Sequence, residues 1–128
     1  MHKGLIKIAA LLGVLSVILG AFAAHGLKQI LLLDSLQIFE TAIRYQFYHV
    51  FAILAVGILY KEYPSALMKL AGQFFLLGIL FFSGSLYLLC YVKHNQLSLN
   101  WVGAITPFGG LFFIVGWVFI FWAVLKRN

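Results

Sequence analysis

At 128 residues the chain has room for one domain, and 64% of it is hydrophobic, against roughly 45–50% in soluble domains. Charged residues make up 9%, against about 25% in soluble chains, and mean hydropathy is +1.05, so too little polar surface exists to cover a globule in water. An ordinary soluble protein is excluded. The net charge of +6 comes from Lys and Arg gathered at the ends of apolar runs, which marks membrane topology and contact with anionic headgroups rather than a nucleic-acid patch.

Gaps between charges locate the spans. Between Lys7 and Lys28 lie 20 uncharged residues, between Lys69 and Lys93 lie 23, and between Lys93 and Lys126 lie 32, each enough for a transmembrane helix of about 20 residues. The gap from Arg44 to Lys61 holds only 16. At ~1.5 Å per residue that is about 24 Å, short of a hydrocarbon core of roughly 30 Å, so this span must recruit residues before Arg44 and carry that residue into the membrane edge. The expectation is an all-α integral membrane protein: a single domain over residues 1–128, built as a four-helix bundle with helices at about 5–26, 36–60, 66–91 and 101–125.

The first span also mimics a secretory signal peptide, with a basic start at Met1-His2-Lys3 and an A-x-A-like Ala21-Phe22-Ala23. Against cleavage, the apolar run from Ile8 to Phe22 is long for a signal sequence. Gly13, Ser16, Gly20 and Ala24 also form a stripe of small residues suited to close helix packing in lipid, so retention is expected. The connection that follows, Lys28 to Gln37, is too apolar for a solvated loop and is expected at the interface, with Asp34 or Ser35 capping the second helix and Gln37 reaching back.

Small residues mark packing seams in the later spans too. Ala71, Gly78 and Ser85 repeat every seven, as do Gly103 with Gly110 and Gly109 with Gly116. Pro107 removes a backbone donor inside the fourth span, leaving a carbonyl near Gly103 for Thr106, a neighbour or water. Trp101, Trp117 and Trp122, with Tyr60, Tyr63, Tyr87 and Tyr91, read as interfacial anchors.

Six of nine cationic side chains, Lys3, Lys7, Lys61, Lys69, Lys126 and Arg127, fall at the termini and the 61–69 connection, and three, Lys28, Arg44 and Lys93, on the other side. This bias predicts cytoplasmic termini, with the 27–40 and 92–100 connections outside.

The candidate polar site lies toward the outer side: His25, Glu40, Arg44, Tyr45, Tyr48 and His49. Glu40 and Arg44 stand at i and i+4 with the acid first, the better orientation for a pair, and an Arg in the membrane edge needs such a partner or a path to the headgroups. The group is either a site for an ion, a proton or an anionic ligand, or a snorkelling Arg tied to an acid. His25, His49 and His94 share that side but lack any short metal-ligand spacing, so no metal or cofactor is expected. Ser83-Gly84-Ser85 lacks the G-x-S-x-G frame, and Cys90, the single thiol, excludes an internal disulfide and a dithiol pair, so no enzyme activity is expected. Two function classes stay open. One is a bundle acting by packing with itself, a partner protein or lipid; the other is a small transporter or channel using Glu40, Arg44, Tyr45 and His49.

Four blocks taken together resemble one family. They are Gly20 to Leu27 (GAFAAHGL), Phe39 to His49 (FETAIRYQFYH), Phe82 to Tyr87 (FSGSLY), and Thr106 to Gly110 (TPFGG) with Gly116-Trp117. Their order and spacing are similar to the small four-helix membrane family catalogued as domain of unknown function 423, related to eukaryotic transmembrane protein 256. The resemblance covers nearly the whole chain. It implies a retained first span and a bacterial inner-membrane location, and it assigns no activity. One departure is Ala23, where the family commonly has Gly.

Overall fold

The computed structural model describes residues 1–127, and its elements are helical. Helix α1 runs Lys3–His25 and α2 runs Leu33–Leu59; α3 (Ala66–Gly78) passes through a π-helical turn at Ile79–Ser83 into α4 (Gly84–His94), and α5 runs Val102–Leu125. Four segments are long and apolar enough to cross a membrane, α3 and α4 together forming the third. The expected four-span architecture is therefore present.

Local chemistry accounts for several helix ends. Helix α1 starts at His2, whose Nδ1 accepts from the Leu5 N–H at 3.3 Å, and α3 starts at Ser65, whose Oγ accepts from the Met68 N–H at 3.2 Å. Helix α2 differs from expectation. It begins at Leu33, with Leu32 at the cap position and no side-chain cap bond, so neither Asp34 nor Ser35 caps it. Both already lie within the first turn, where Asp34 complements the helix dipole.

Helix α2 is the centre of the bundle. Its buried face runs Phe39, Ala42, Gln46, His49, Ile53 and Val56, alternating steps of three and four, while α1 buries only Leu5, Ala9, Ser16 and Ala23. One apolar core gathers Ile53, Val56, Met68 and Phe75; a second, nearer the other end, joins Ala23, Phe39, Ile43 and Cys90. The His2 N–H donates to the Gly57 carbonyl at 2.7 Å, and Arg127 reaches Glu62 at 3.8 Å and lies over the Tyr63 ring at 4.8 Å. The N-terminal residues, the connection after α2 and the end of α5 thus share one end of the bundle.

The third span and α5 meet at their backbones. A side-chain carbon on Gly109 would strike the backbone of Phe82, one on Gly78 would strike the Phe113 ring, and one on Gly116 would lie 2.6 Å from Phe75. The π turn belongs to this contact: the Gly84 N–H bonds the Ile79 carbonyl five residues back, widening the helix where Gly109 enters. Of the expected seams, Ala71–Gly78–Ser85 is buried throughout and Gly109–Gly116 is a contact line. The other pair is not. Gly103 has nothing within 4 Å of the place its side chain would occupy and Gly110 meets only ordinary contacts, because residue 110 lies about 100° round the helix from residue 109 and turns away from the neighbouring span.

The α1 stripe needs the same correction. Gly20 has open space and Gly13 meets only Val50 at an ordinary 3.7 Å, whereas the contact line is Leu5, Ala9, Ser16 and Ala23. Pro107 sits on the exposed side of α5, and Thr106 bonds across to Ser85 rather than back to the Gly103 carbonyl.

These contacts rank the glycines. Gly78→Leu should lower stability by about 2 kcal/mol through overpacking against Phe113, while Gly20→Leu and Gly103→Leu leave it nearly unchanged. Thermal unfolding in mild detergent reads the difference, and equal melting of Gly78→Leu and Gly103→Leu would contradict it.

Candidate functional site

Of the six residues expected to form a polar site, the fold brings three rings together, Tyr45 beside Tyr48 and His49 with centroids 5.7 and 6.4 Å apart, but it does not gather all six into one site. His49 is buried on the inner face of α2, whereas Glu40, Arg44, Tyr45 and Tyr48 are exposed, and His25 is exposed at the end of α1. Glu40 and Arg44 make no ion pair: among the described residues the pair within 4.0 Å is Arg127 with Glu62, at the opposite end. The expected Glu40–Arg44 salt bridge is therefore absent, both side chains being free to extend away from the bundle.

The helices beside α2 set the level of Arg44. Ser16 lies opposite Gln46 and Ser83 opposite Ala42, so the antiparallel register sets Arg44 level with about Ile18 of α1 and Phe81 of the third span. Those positions fall near the middle of the uncharged runs Lys7–Lys28 and Lys69–Lys93. Arg44 thus stands level with the middle of the neighbouring apolar spans, on an outward face, with Glu40 one turn, about 6 Å, nearer the α2 N-terminus.

The interior chemistry is a set of cross-links. His49 Nδ1 lies 2.8 Å from the Tyr45 carbonyl, and its Nε2 lies 3.2 Å from Trp117 Nε1. A carbonyl only accepts and an indole N–H only donates, so the proton sits on Nδ1 and the ring is neutral. Phe113 stacks on it at 3.5 Å between centroids, 6° from parallel, and closes it from outside access. A metal ligand needs a free nitrogen lone pair; here Trp117 occupies it. Among the described residues no cluster of His, Cys, Asp or Glu is placed to hold a metal ion.

The strongest polar feature centres on Gln46, which carries no charge and belongs to no catalytic or metal-binding motif. Gln46 is 2% exposed and joins three spans. Ser16 donates its single hydroxyl proton to the Leu12 carbonyl at 2.7 Å, so its oxygen accepts from Gln46 Nε2 at 2.8 Å, which turns Gln46 Oε1 toward the Tyr87 hydroxyl at 2.7 Å. The signal was present in the spacing, since Gln46 falls on the three-and-four stripe from Phe39 to Val56, with Glu40 and Arg44 off it. Tyr87 is accordingly an interior cross-link rather than an interfacial anchor.

Three further bonds tie the third span to its neighbours. Ser83 Oγ donates to the Ala42 carbonyl at 2.7 Å, and the Cys90 thiol donates to the Ser35 carbonyl at 3.1 Å. Ser85 donates to the Phe82 carbonyl at 2.9 Å, so the Thr106 hydroxyl must be the donor in its 2.6 Å contact with Ser85. Ser83 and Ser85 are thereby packing groups held by hydrogen bonds. Among the described residues, no buried side-chain nitrogen or oxygen lacks a partner.

The Gln46 chain makes a measurable claim. Gln46→Leu strands the Tyr87 hydroxyl and Tyr87→Phe strands Gln46 Oε1, so the double variant should lose less stability than the two singles together, by about 1 kcal/mol. Additive losses in a thermal double-mutant cycle would remove the bond from the account.

Comparison with known proteins agrees with this architecture. The family model described as protein of unknown function (DUF423) matches residues 19–110, which include the first three of the four resembling blocks and Thr106 to Gly110. A UPF0382 membrane protein of Staphylococcus saprophyticus is 41% identical over 118 residues, 92% of this chain and 93% of that protein. One of Haemophilus influenzae is 38% identical across 100% of this chain and 98% of its own length. A fission yeast relative, from Schizosaccharomyces pombe, is 36% identical over 87% of this chain and 92% of its own. No solved structure matches. Both the family match and the near full-length similarity show that this chain, a small integral membrane protein, belongs to the DUF423 (UPF0382) membrane protein family.

Proposed function

We propose that the protein is a non-enzymatic component of the bacterial inner membrane, with both termini in the cytoplasm, that acts by lateral association within the bilayer. The observation that carries this reading is the division of its polar groups. Those inside are consumed by helix-to-helix bonds: His49 by Tyr45 and Trp117, Gln46 by Ser16 and Tyr87, Ser83 by Ala42. The uncommitted ones, Glu40 and Arg44, face outward from α2. A carrier of ions or protons would need ionisable groups toward its interior, so the chemistry left over serves a neighbour in the membrane.

Counting copies tests the reading. Fluorescently tagged protein, extracted with its surrounding native membrane into polymer-bounded discs, should bleach in two or more steps, or carry a second membrane protein at fixed stoichiometry. Single-step particles free of any other protein would overturn it.

The orientation follows from the cationic end, where Lys3, Lys7, Lys61, Lys69, Lys126 and Arg127 gather around the termini. With the native thiol removed by Cys90→Ala, an impermeant maleimide applied to intact cells, or to spheroplasts where an outer membrane is present, should label Asn95→Cys and miss Ser65→Cys. The reverse pattern would invert the proposed topology.

A further inference from the structure

We propose that the outward face of α2 is a homodimer seam, in which Glu40 and Arg44 of one copy pair with Arg44 and Glu40 of a second copy inserted in the same direction. This deepens the reading of lateral association, on which it rests, by naming the face and the occupant.

Depth supplies the first argument. Arg44, level with about Ile18 and Phe81, is about 15 Å from either headgroup layer of a core roughly 30 Å thick, and lipid tails offer it no acceptor. Ionisable groups at such depth almost always face a bundle interior or a partner. Within its own chain Arg44 has neither, because it is exposed and Glu40 is not in salt-bridge contact with it.

Spacing supplies the second. Gln37, Arg44, Phe51 and Ile58 recur every seven residues, and all are exposed, with Glu40, Tyr48 and Ala55 exposed beside them. A seven-residue repeat keeps one stripe facing a neighbouring helix in the shallow left-handed crossing common in membranes. The stripe is opposite the one that α2 buries against α1 and the third span, so nothing in the chain uses it.

Charge selects the occupant. The stripe carries one acid and one base, so a second identical stripe is its electrostatic complement and the four charges sum to zero. Copies inserted in one direction are related by a two-fold axis along the membrane normal, which sets their α2 helices parallel. Side chains on a helix lean toward its N-terminus, so each Arg44 leans toward the level of the other copy's Glu40, one turn away and within the reach of an arginine.

The test uses the full-length protein in membranes, in the Cys90→Ala background. Phe51→Cys should form an oxidative cross-linked dimer, while Leu111→Cys, exposed on α5, should not. Arg44→Glu and Glu40→Arg should each weaken self-association about tenfold, and differently tagged copies of the two should recover it when mixed, because each supplies the charge the other lacks. The neutral double variant Glu40→Gln with Arg44→Gln, which is easier to insert, should melt like wild type in detergent yet associate more weakly in vesicles. Mixed charge-reversed copies that associate no better than either alone would overturn the proposal. Cross-linking through Leu111→Cys alone, or pairing only with a different membrane protein, would overturn this seam while leaving lateral association standing; a wild-type protein monomeric and unaccompanied throughout would remove both.

Discussion

The absence of competing water is the constraint on which this bundle depends. In hydrocarbon, apolar side chains gain nothing by leaving lipid for protein, so helices associate through close packing and through hydrogen bonds that have no solvent alternative. Both devices appear, and they are divided among the helices. The third span meets α5 mainly by contact, Gly109 against the Phe82 backbone and Gly78 against Phe113. It meets α2 mainly by bonds, Ser83 to Ala42 and Cys90 to Ser35, while α1 is held through Ser16 and Gln46. Each of these three contacts thus includes at least one directional bond, the third span meeting α5 also through Ser85 and Thr106.

That division explains why polar residues fall into two populations. A polar group on an inner face is admissible only if every donor and acceptor finds a partner, which Gln46 and His49 achieve through short chains of bonds. Groups that cannot be satisfied inside must lie at the ends or outside. Most cations here do lie at the ends; Glu40 and Arg44 do not, and it is their position rather than their identity that makes them functional candidates.

Much of the architecture was legible in the chain. Uncharged gaps locate four spans because a charge in lipid is expensive, and where charges stand along the chain can be read from residue type alone. The polar site was less legible. Glu40 and Arg44 invite pairing by their i, i+4 spacing, but spacing states only that two side chains share a face, not that they turn toward each other. Arg44 reads as an edge residue when depth is counted along α2; its level against the other helices follows from the neighbours set against it, Ser16 by Gln46 and Ser83 by Ala42. Small residues misled for a related reason. Gly103 and Gly110 repeat as regularly as Gly109 and Gly116, and only the azimuth of α5 distinguishes the pair that touches from the pair that does not.

The π turn at Ile79–Ser83 has a consequence for how this chain can change in length. A π turn holds one residue more than the α-helical turn it replaces, so it acts as a phase shift between two otherwise regular helices. Deleting a single residue there would give a smoother helix and rotate everything beyond it by about 100°. Ser85 would leave Thr106, Tyr87 would leave Gln46 and Cys90 would leave Ser35 in one step. Apart from Ser83, which bonds the Ala42 carbonyl, the segment is apolar, and the register of every bond beyond it is carried in the count of its residues more than in their kinds.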